Sequence, residues 1–229
     1  MKKVVVISLG GSLIVPEGKM NIALLEKFKH VLRKHYSKYK FVIVCGGGSI
    51  ARKYISVLRS ENRSKDELSH TGILATRMNA LFIMQLFEKE ANAKLPMNME
   101  EVKDNLNKNN IVVCGALRYV PDSTSDGTAA NLAHFLDAEF INMTNVDGLF
   151  TANPLTHKNA KLIPSINWKD FKKRALAMKF HAGQHFVLDQ AASILIREHK
   201  IKTYILGPKL DNLNNVLNNR KFRGTLIEG

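Results

Sequence analysis

Glycine interrupts this sequence directly after three separate β-branched runs: Gly10-Gly11-Ser12 after 4–9, Gly46-Gly47-Gly48 after 41–45, and Gly115 after 111–114. Lacking a Cβ, glycine lets the backbone approach a ligand closely, and a helix starting just beyond it aims unpaired N–H groups and a partial positive charge at that ligand. Each break alone is equally what a tight strand-to-helix turn requires, but three in succession point to phosphate. The polar residues nearby suit the same ligand. Arg52 falls in the first turn of the helix after Gly48, where a guanidinium can fork onto phosphate oxygens. Thr124-Ser125-Asp126 opens another helix, with Ser125 or Asp126 as N-cap and hydroxyls to spare for a second phosphate. Asn145-Val146-Asp147-Gly148 offers an amide and a carboxylate in one turn, and Phe150 and Pro154 beyond it give an apolar slot for a flat base. Asp189 sits in the otherwise apolar stretch 187–192, where an unpartnered carboxylate is costly, so it is expected to face a cation or a reacting group.

These loops need a scaffold that brings them to one side. Apolar residues recur at helical spacing over 21–36, 50–58, 68–90, 98–107, 127–136, 169–177 and 185–199, while strand-like runs occupy 4–9, 41–45, 111–114, 140–144 and 202–206. Strands alternating with helices predict an α/β fold whose parallel sheet is covered on both faces, with ligands beyond the carboxyl ends of the strands. A length of 229 residues with 45% apolar content supports one domain or two small ones, with a soft boundary near Asn145.

Composition narrows the function classes. Lys and Arg number 34 against 20 Asp and Glu, a net charge of +14 that favours nucleic acid, a membrane surface or a phosphorylated metabolite as partner. The basic residues are spread over many helices without an aromatic platform, which argues against nucleic acid. No apolar run approaches the roughly 20 residues a bilayer span needs. Two cysteines, Cys45 and Cys114, can build neither a disulfide framework nor a zinc cluster, so an unexported cytoplasmic chain with reduced thiols is expected. Two motif matches fail. Gly46-x-Gly48-x-x-Ala51 lacks the strand-ending acid about 20 residues on that dinucleotide binding needs, and Gly18-Lys19 has Leu13 where a P-loop requires its first glycine. His181 and His185 share a helical spacing but have no acidic or thiol companion, so no protein metal site is expected.

In order along the chain, Gly10-Gly11-Ser12, Gly46-Gly47-Gly48 with Arg52, Gly72-Ile73 with Thr76-Arg77 and Asn79-Ala80, Thr124-Ser125-Asp126, Thr144 to Gly148 with Phe150, Asp189, and the ending Gly224-Thr225 resemble the amino acid kinase family. Within it they resemble the archaeal-type uridylate (UMP) kinases, over nearly the whole length. The resemblance implies a three-layer αβα sandwich with a mainly parallel central sheet. It implies one domain over 1–229, an acceptor-binding half to about 144 and an ATP-binding half from about 145, assembled as a homohexamer. It implies transfer of the γ-phosphate of ATP to UMP with Mg²⁺, a step of pyrimidine nucleotide biosynthesis. By position, Gly11, Ser12, Gly48 and Arg52 would meet the ATP phosphates, and Thr144, Asn145, Asp147, Phe150 and Asn153 the rest of ATP. Gly47, Ser69, Arg77, Pro121, Asp122, Ser123, Thr124 and Ser125 would meet UMP, and Asp189 and Arg52 would act on the transferring group. Three positions depart from the pattern. Ser8 stands where bacterial-type members carry lysine, Ser69 where archaeal members carry an aspartate for the acceptor nucleoside, and Asn153 where an aspartate is usual. These leave a kinase of another small acid or phosphate, or a non-catalytic anion-binding homologue, as alternatives.

Overall fold

The computed structural model describes residues 2–117, 124–177 and 187–229. Strands β1 (Lys3–Leu9), β2 (Tyr39–Cys45), β3 (Ile111–Cys114), β4 (Glu139–Met143), β5 (Ser165–Ile166), β6 (Thr203–Leu206) and β7 (Thr225–Ile227) form one sheet in the order β3-β2-β1-β4-β6-β7-β5. From β3 to β6 every pairing is parallel, and β7 then joins β6 antiparallel and carries β5 beside it. Apart from Lys3, Ser8 and Lys40, the β1, β2 and β3 residues are apolar on both faces because both faces are covered, as parallel sheets require.

One layer comprises α1 (Gly11–Ile14), α2 (Ile22–Arg33), α4 (Lys65–Phe87) and α9 (Leu210–Leu217), which pack on Val5, Ile7, Leu9, Phe41 and Ile43. The other comprises α5 (Met99–Lys108), α6 (Ser125–Phe135), α7 (Trp168–Ala177) and α8 (Gln190–Glu198), which pack on Val6, Val42, Val44, Phe140 and Ile205. Helix α3 (Gly48–Ser60) lies against α4 and buries only Ser49 and Ala51. The expected α/β sandwich is therefore present, and its sheet runs without a break across the boundary anticipated near Asn145. Strand β3 lies at an edge, where the buried amide of Asn92 accepts from Val113 N at 2.6 Å and donates to Val113 O at 3.0 Å, pairing with the strand as a neighbouring backbone would.

Three differences from the sequence reading have local causes. The helix expected over 185–199 begins only at Gln190, because Asp189 turns outward in an extended conformation and caps it by accepting from Ala192 N at 2.8 Å. Residues 185 and 186, like His181, lie outside the described residues. Arg52 sits one turn into α3, since the helix already starts at Gly48. The pair β5 and β7 and helix α9 were not anticipated, the strands being only two and three residues long.

The chain runs from β1 outward to β2 and β3, then returns to β4 on the other side of β1 and continues to β6. This reversal places a topological switch at the carboxyl ends of β1 and β4, where open α/β sheets bind their ligands.

Candidate active site

At that edge the first two glycine loops interlock. A Cβ added to Gly11 would lie 2.5 Å from Gly48 Cα and 2.7 Å from Gly46 O, so the two backbones touch at a distance only glycine permits. Gly48 has φ +66, in the left-handed region that favours glycine. The contact is held from outside by buried side chains. Asn79 on α4 donates to Gly46 O at 2.7 Å, and Ser49 donates to Val15 O at 2.8 Å while accepting from Gly18 N. The N–H groups of the first turn of α3 therefore face the ligand side from a fixed cradle, next to Arg52.

Beside the cradle opens a cavity of about 850 Å³, within the usual range for small-molecule sites. Gly47, Gly48 and Arg52 form its inner wall with Thr124, Ser125 and Asp189, and the seam between α3 and α4 carries it outward past Ser69 and Gly72. The structure thus brings Gly47, Gly48, Arg52, Ser69, Thr124, Ser125 and Asp189 around one space. Pro121, Asp122 and Ser123 lie outside the described residues.

Thr124, and not Ser125 or Asp126, is the N-cap of α6: its Oγ1 accepts from Gly127 N at 3.0 Å. The same hydroxyl donates to Asp189 Oδ2, tying the start of α6 to the start of α8. Asp189 is thus partnered by a hydroxyl and a backbone N–H, with no cation in contact among the described residues. Asp126 turns back into the fold, where Ser8 Oγ donates to its Oδ1 at 2.7 Å. Burial, and then the negative charge of Asp189, push the Asp126 carboxyl up to about 7, against the lowering effect of the Ser8 hydrogen bond. Ser8 itself is fully buried.

Other expected site residues stand elsewhere. Arg77 does not line the cavity; its guanidinium donates to Ala116 O at 3.0 Å and Leu117 O at 2.6 Å, strapping the segment after β3. Thr144, Asn145, Asp147, Phe150 and Asn153 follow the end of β4, on the far side of β1 from the cavity. There Thr144 N donates to Leu206 O, and the carboxylate of Asp147 is held by Arg223 at 2.6 Å. Phe150 pairs with Leu162, and Asn153 Oδ1 accepts from Leu155 N at 3.0 Å to cap a turn. Gly11 and Ser12 lie between the two regions at the end of β1.

The sequence reading missed Asn142, and it named Asn79 only as part of the family motif, without a role. Asn142 is buried within β4, where its amide donates to Val187 O and so fixes the approach to Asp189. A polar amide inside an apolar strand, and another on the buried face of a helix, were the available signals.

Comparison with known proteins agrees with this arrangement. The model of the amino acid kinase family matches residues 3–207. A uridylate kinase of Methanococcus aeolicus is 33% identical over 225 residues, covering 97% of this chain and 98% of its own. One of Thermoplasma volcanium is 34% identical over 230 residues, covering 100% and 99%. The crystal structure of uridylate kinase from Archaeoglobus fulgidus superposes with a TM-score of 0.84 at 31% identity, covering 99% of this chain and 100% of that one. With two interlocked glycine loops at the switch of a parallel sheet and a match across nearly its full length, the chain belongs to the amino acid kinase family.

Proposed function

We propose that this protein is a UMP kinase, transferring the γ-phosphoryl group of ATP to UMP to give ADP and UDP in pyrimidine nucleotide biosynthesis. The observation that carries the reading is the Gly11–Gly48 contact, which sets a backbone phosphate cradle against a cavity of nucleotide size. Full-length similarity to uridylate kinases supports UMP as acceptor. The acceptor half extends to about residue 144 and the ATP half begins at about 145. UMP occupies the cavity, and ATP lies along Gly11, Ser12 and the loops after β4.

Transfer forms a bond from a phosphate oxygen of UMP to the γ-phosphorus and breaks the bond from that phosphorus to the oxygen leaving with ADP. Little covalent work is left to side chains, so alignment and charge neutralisation dominate. The N–H groups at the start of α3 and the Arg52 guanidinium hold phosphate oxygens on the cavity side. Thr124 fixes Asp189 at the inner wall. Among the described residues no cluster of three or more ligating side chains could hold a metal by itself. Mg²⁺ is usually bound by one or two carboxylates together with substrate phosphates; Asp189 is the cavity carboxylate that would hold it, and the ion would offset phosphate charge.

An ADP-release assay with ATP, Mg²⁺ and a panel of nucleoside monophosphates and small acids tests the reading. Turnover should be highest with UMP, and absence of turnover with every nucleotide would overturn it. No helix among the described residues is long and apolar enough to cross a membrane. The kinase reading places the protein in the cytoplasm.

The protein acts as a hexamer in this reading. Tyr54 and Val57 on α3 and Leu74, Met78 and Leu81 on α4 are exposed, an apolar surface suited to covering by a second copy. The double substitution Val57→Lys and Met78→Lys should reduce the assembled mass in light scattering to that of a smaller species while leaving the far-UV spectrum unchanged. An unaltered mass would place the contact elsewhere.

A further inference from the structure

The loop after β4 carries an acid beside the turn that closes β1. A Cβ on Gly10 would lie 3.8 Å from Thr144 Cα, and three residues of chain, about 11 Å at full stretch, lead from there to Asp147. In the kinase reading the triphosphate of ATP lies along Gly11 and Ser12. A lone carboxylate at this range, on the order of one Debye length at physiological salt, would repel it with only partial screening.

Asp147 is not alone. Arg223 Nε donates to its Oδ2 at 2.6 Å, and its Oδ1 lies against Gly207, where an added Cβ would stand 2.6 Å away. Both partners sit on backbone that is held by other bonds. Arg223 N donates at 2.9 Å to Oδ1 of the buried Asn212. Two residues on, the fully buried Thr225 accepts from Leu149 N at 2.8 Å through its Oγ1, which also donates to Ile163 O at 2.6 Å. The end of the chain therefore grips the loop after β4 at Leu149 and meets its carboxylate with a guanidinium, across 76 positions of sequence. The Arg223 side chain is 58% exposed and that of Asp147 23%, and ion pairs so open to water contribute little to stability. What the pair changes is the charge that this loop presents.

We propose that Arg223 is a positioning residue of the ATP site, which acts through Asp147: it holds that carboxylate and cancels its charge, so that the loop after β4 can lie beside a triphosphate. The proposal rests on the kinase reading and on ATP lying along this loop.

The experiment measures the dissociation constant of ATP by calorimetric titration, and the KM for ATP and kcat, in the wild-type protein, Arg223→Gln, Asp147→Asn and the double variant. Arg223→Gln leaves the acid uncancelled and should weaken ATP by at least about fivefold in both constants, with kcat, the KM for UMP and the melting temperature close to wild type, and the loss should shrink in high salt. Asp147→Asn alone leaves the guanidinium charge unopposed and should tighten ATP. The double variant should return to within about twofold of wild type, since the two charges act on ATP as one unit. A double variant as weak as Arg223→Gln overturns the proposal, because the guanidinium would then touch ATP directly; so does weaker ATP binding by Asp147→Asn, or unchanged binding by Arg223→Gln. Binding of ATP by the wild-type protein without transfer to any acceptor overturns the kinase reading alone, since the titrations still decide the role of the pair.

Discussion

Gly11→Ala is expected to abolish phosphoryl transfer, lowering kcat/KM by at least a thousandfold. The added methyl would fall 2.5 Å from Gly48 Cα and 2.7 Å from Gly46 O, and both obstacles are backbone, so no side-chain rotation relieves them. Gly46 is also pinned by Asn79 and Gly48 is followed directly by the buried Ser49, so the second loop cannot retreat without breaking hydrogen bonds of 2.7 and 2.8 Å. The loops must part instead, which moves the first N–H groups of α3 out of line with Ser12. Misplacement of about 1 Å is enough to cost a hundredfold when catalysis is mainly alignment. Overpacking of this kind also destabilises, typically by 1–3 kcal/mol and more where backbone is displaced. A comparison glycine separates this from a general intolerance. A Cβ at Gly127 would lie 3.5 Å from Thr124 Oγ1, an ordinary contact within α6, so Gly127→Ala should keep at least a third of the activity and gain up to about 1 kcal/mol of stability. Steady-state rates and thermal melts of the two variants decide the matter; more than a tenth of wild-type activity in Gly11→Ala would show that the loop contact does not hold the phosphates.

What the sequence revealed of this fold followed from repetition. Apart from Ser8, the runs at 4–9, 41–45 and 111–114 are apolar because both faces of the sheet are covered, and the heptad-like recurrence of Leu25, Phe28 and Leu32 marks α2 by the face it buries. The β5–β7 pair escaped notice because strands of two and three residues carry no periodicity to read. The site was legible as a set of loops, since glycine after a buried strand has a stereochemical meaning that needs no partner to be seen. Its internal wiring was not. Ser8 and Asp126 meet across 118 positions of sequence, and Thr124 reaches Asp189 across 65. Arg77 looked like an acceptor residue by position, yet its two hydrogen bonds go to carbonyls that only the folded end of β3 presents. Long-range polar pairings of this sort are products of topology, and local sequence contains no trace of them.

The largest pH effect should come from Asp126. Its carboxyl is raised from 3.8 to about 7 in the folded protein by burial and by the charge of Asp189. The sign is therefore the reverse of the usual one for aspartate. Below about pH 4 both folded and unfolded chains hold the proton, and this group has no effect on stability. Between about pH 4 and 7 the unfolded chain loses a proton that the folded chain keeps, so stability falls as pH rises. Above about 7 the folded chain ionises as well and the cost stops growing, at roughly 3–4 kcal/mol for a shift of this size. Asp126→Asn keeps an oxygen to accept from Ser8 and removes the charge. It should melt about 5–10 °C higher than wild type at pH 8, with the difference shrinking steadily toward pH 5. A carboxylate kept directly after the cavity-lining Thr124 and Ser125 despite such a cost is expected to work there, by setting the field in which Asp189 and the phosphates are arranged. The same variant should therefore turn over at least tenfold more slowly at pH 8 while being more stable, two effects of opposite sign that a purely structural residue does not produce. Melting curves and initial rates between pH 5 and 8 measure both; a variant that is less stable than wild type at pH 8 would mean that Asp126 is ionised and favourably solvated across the whole range.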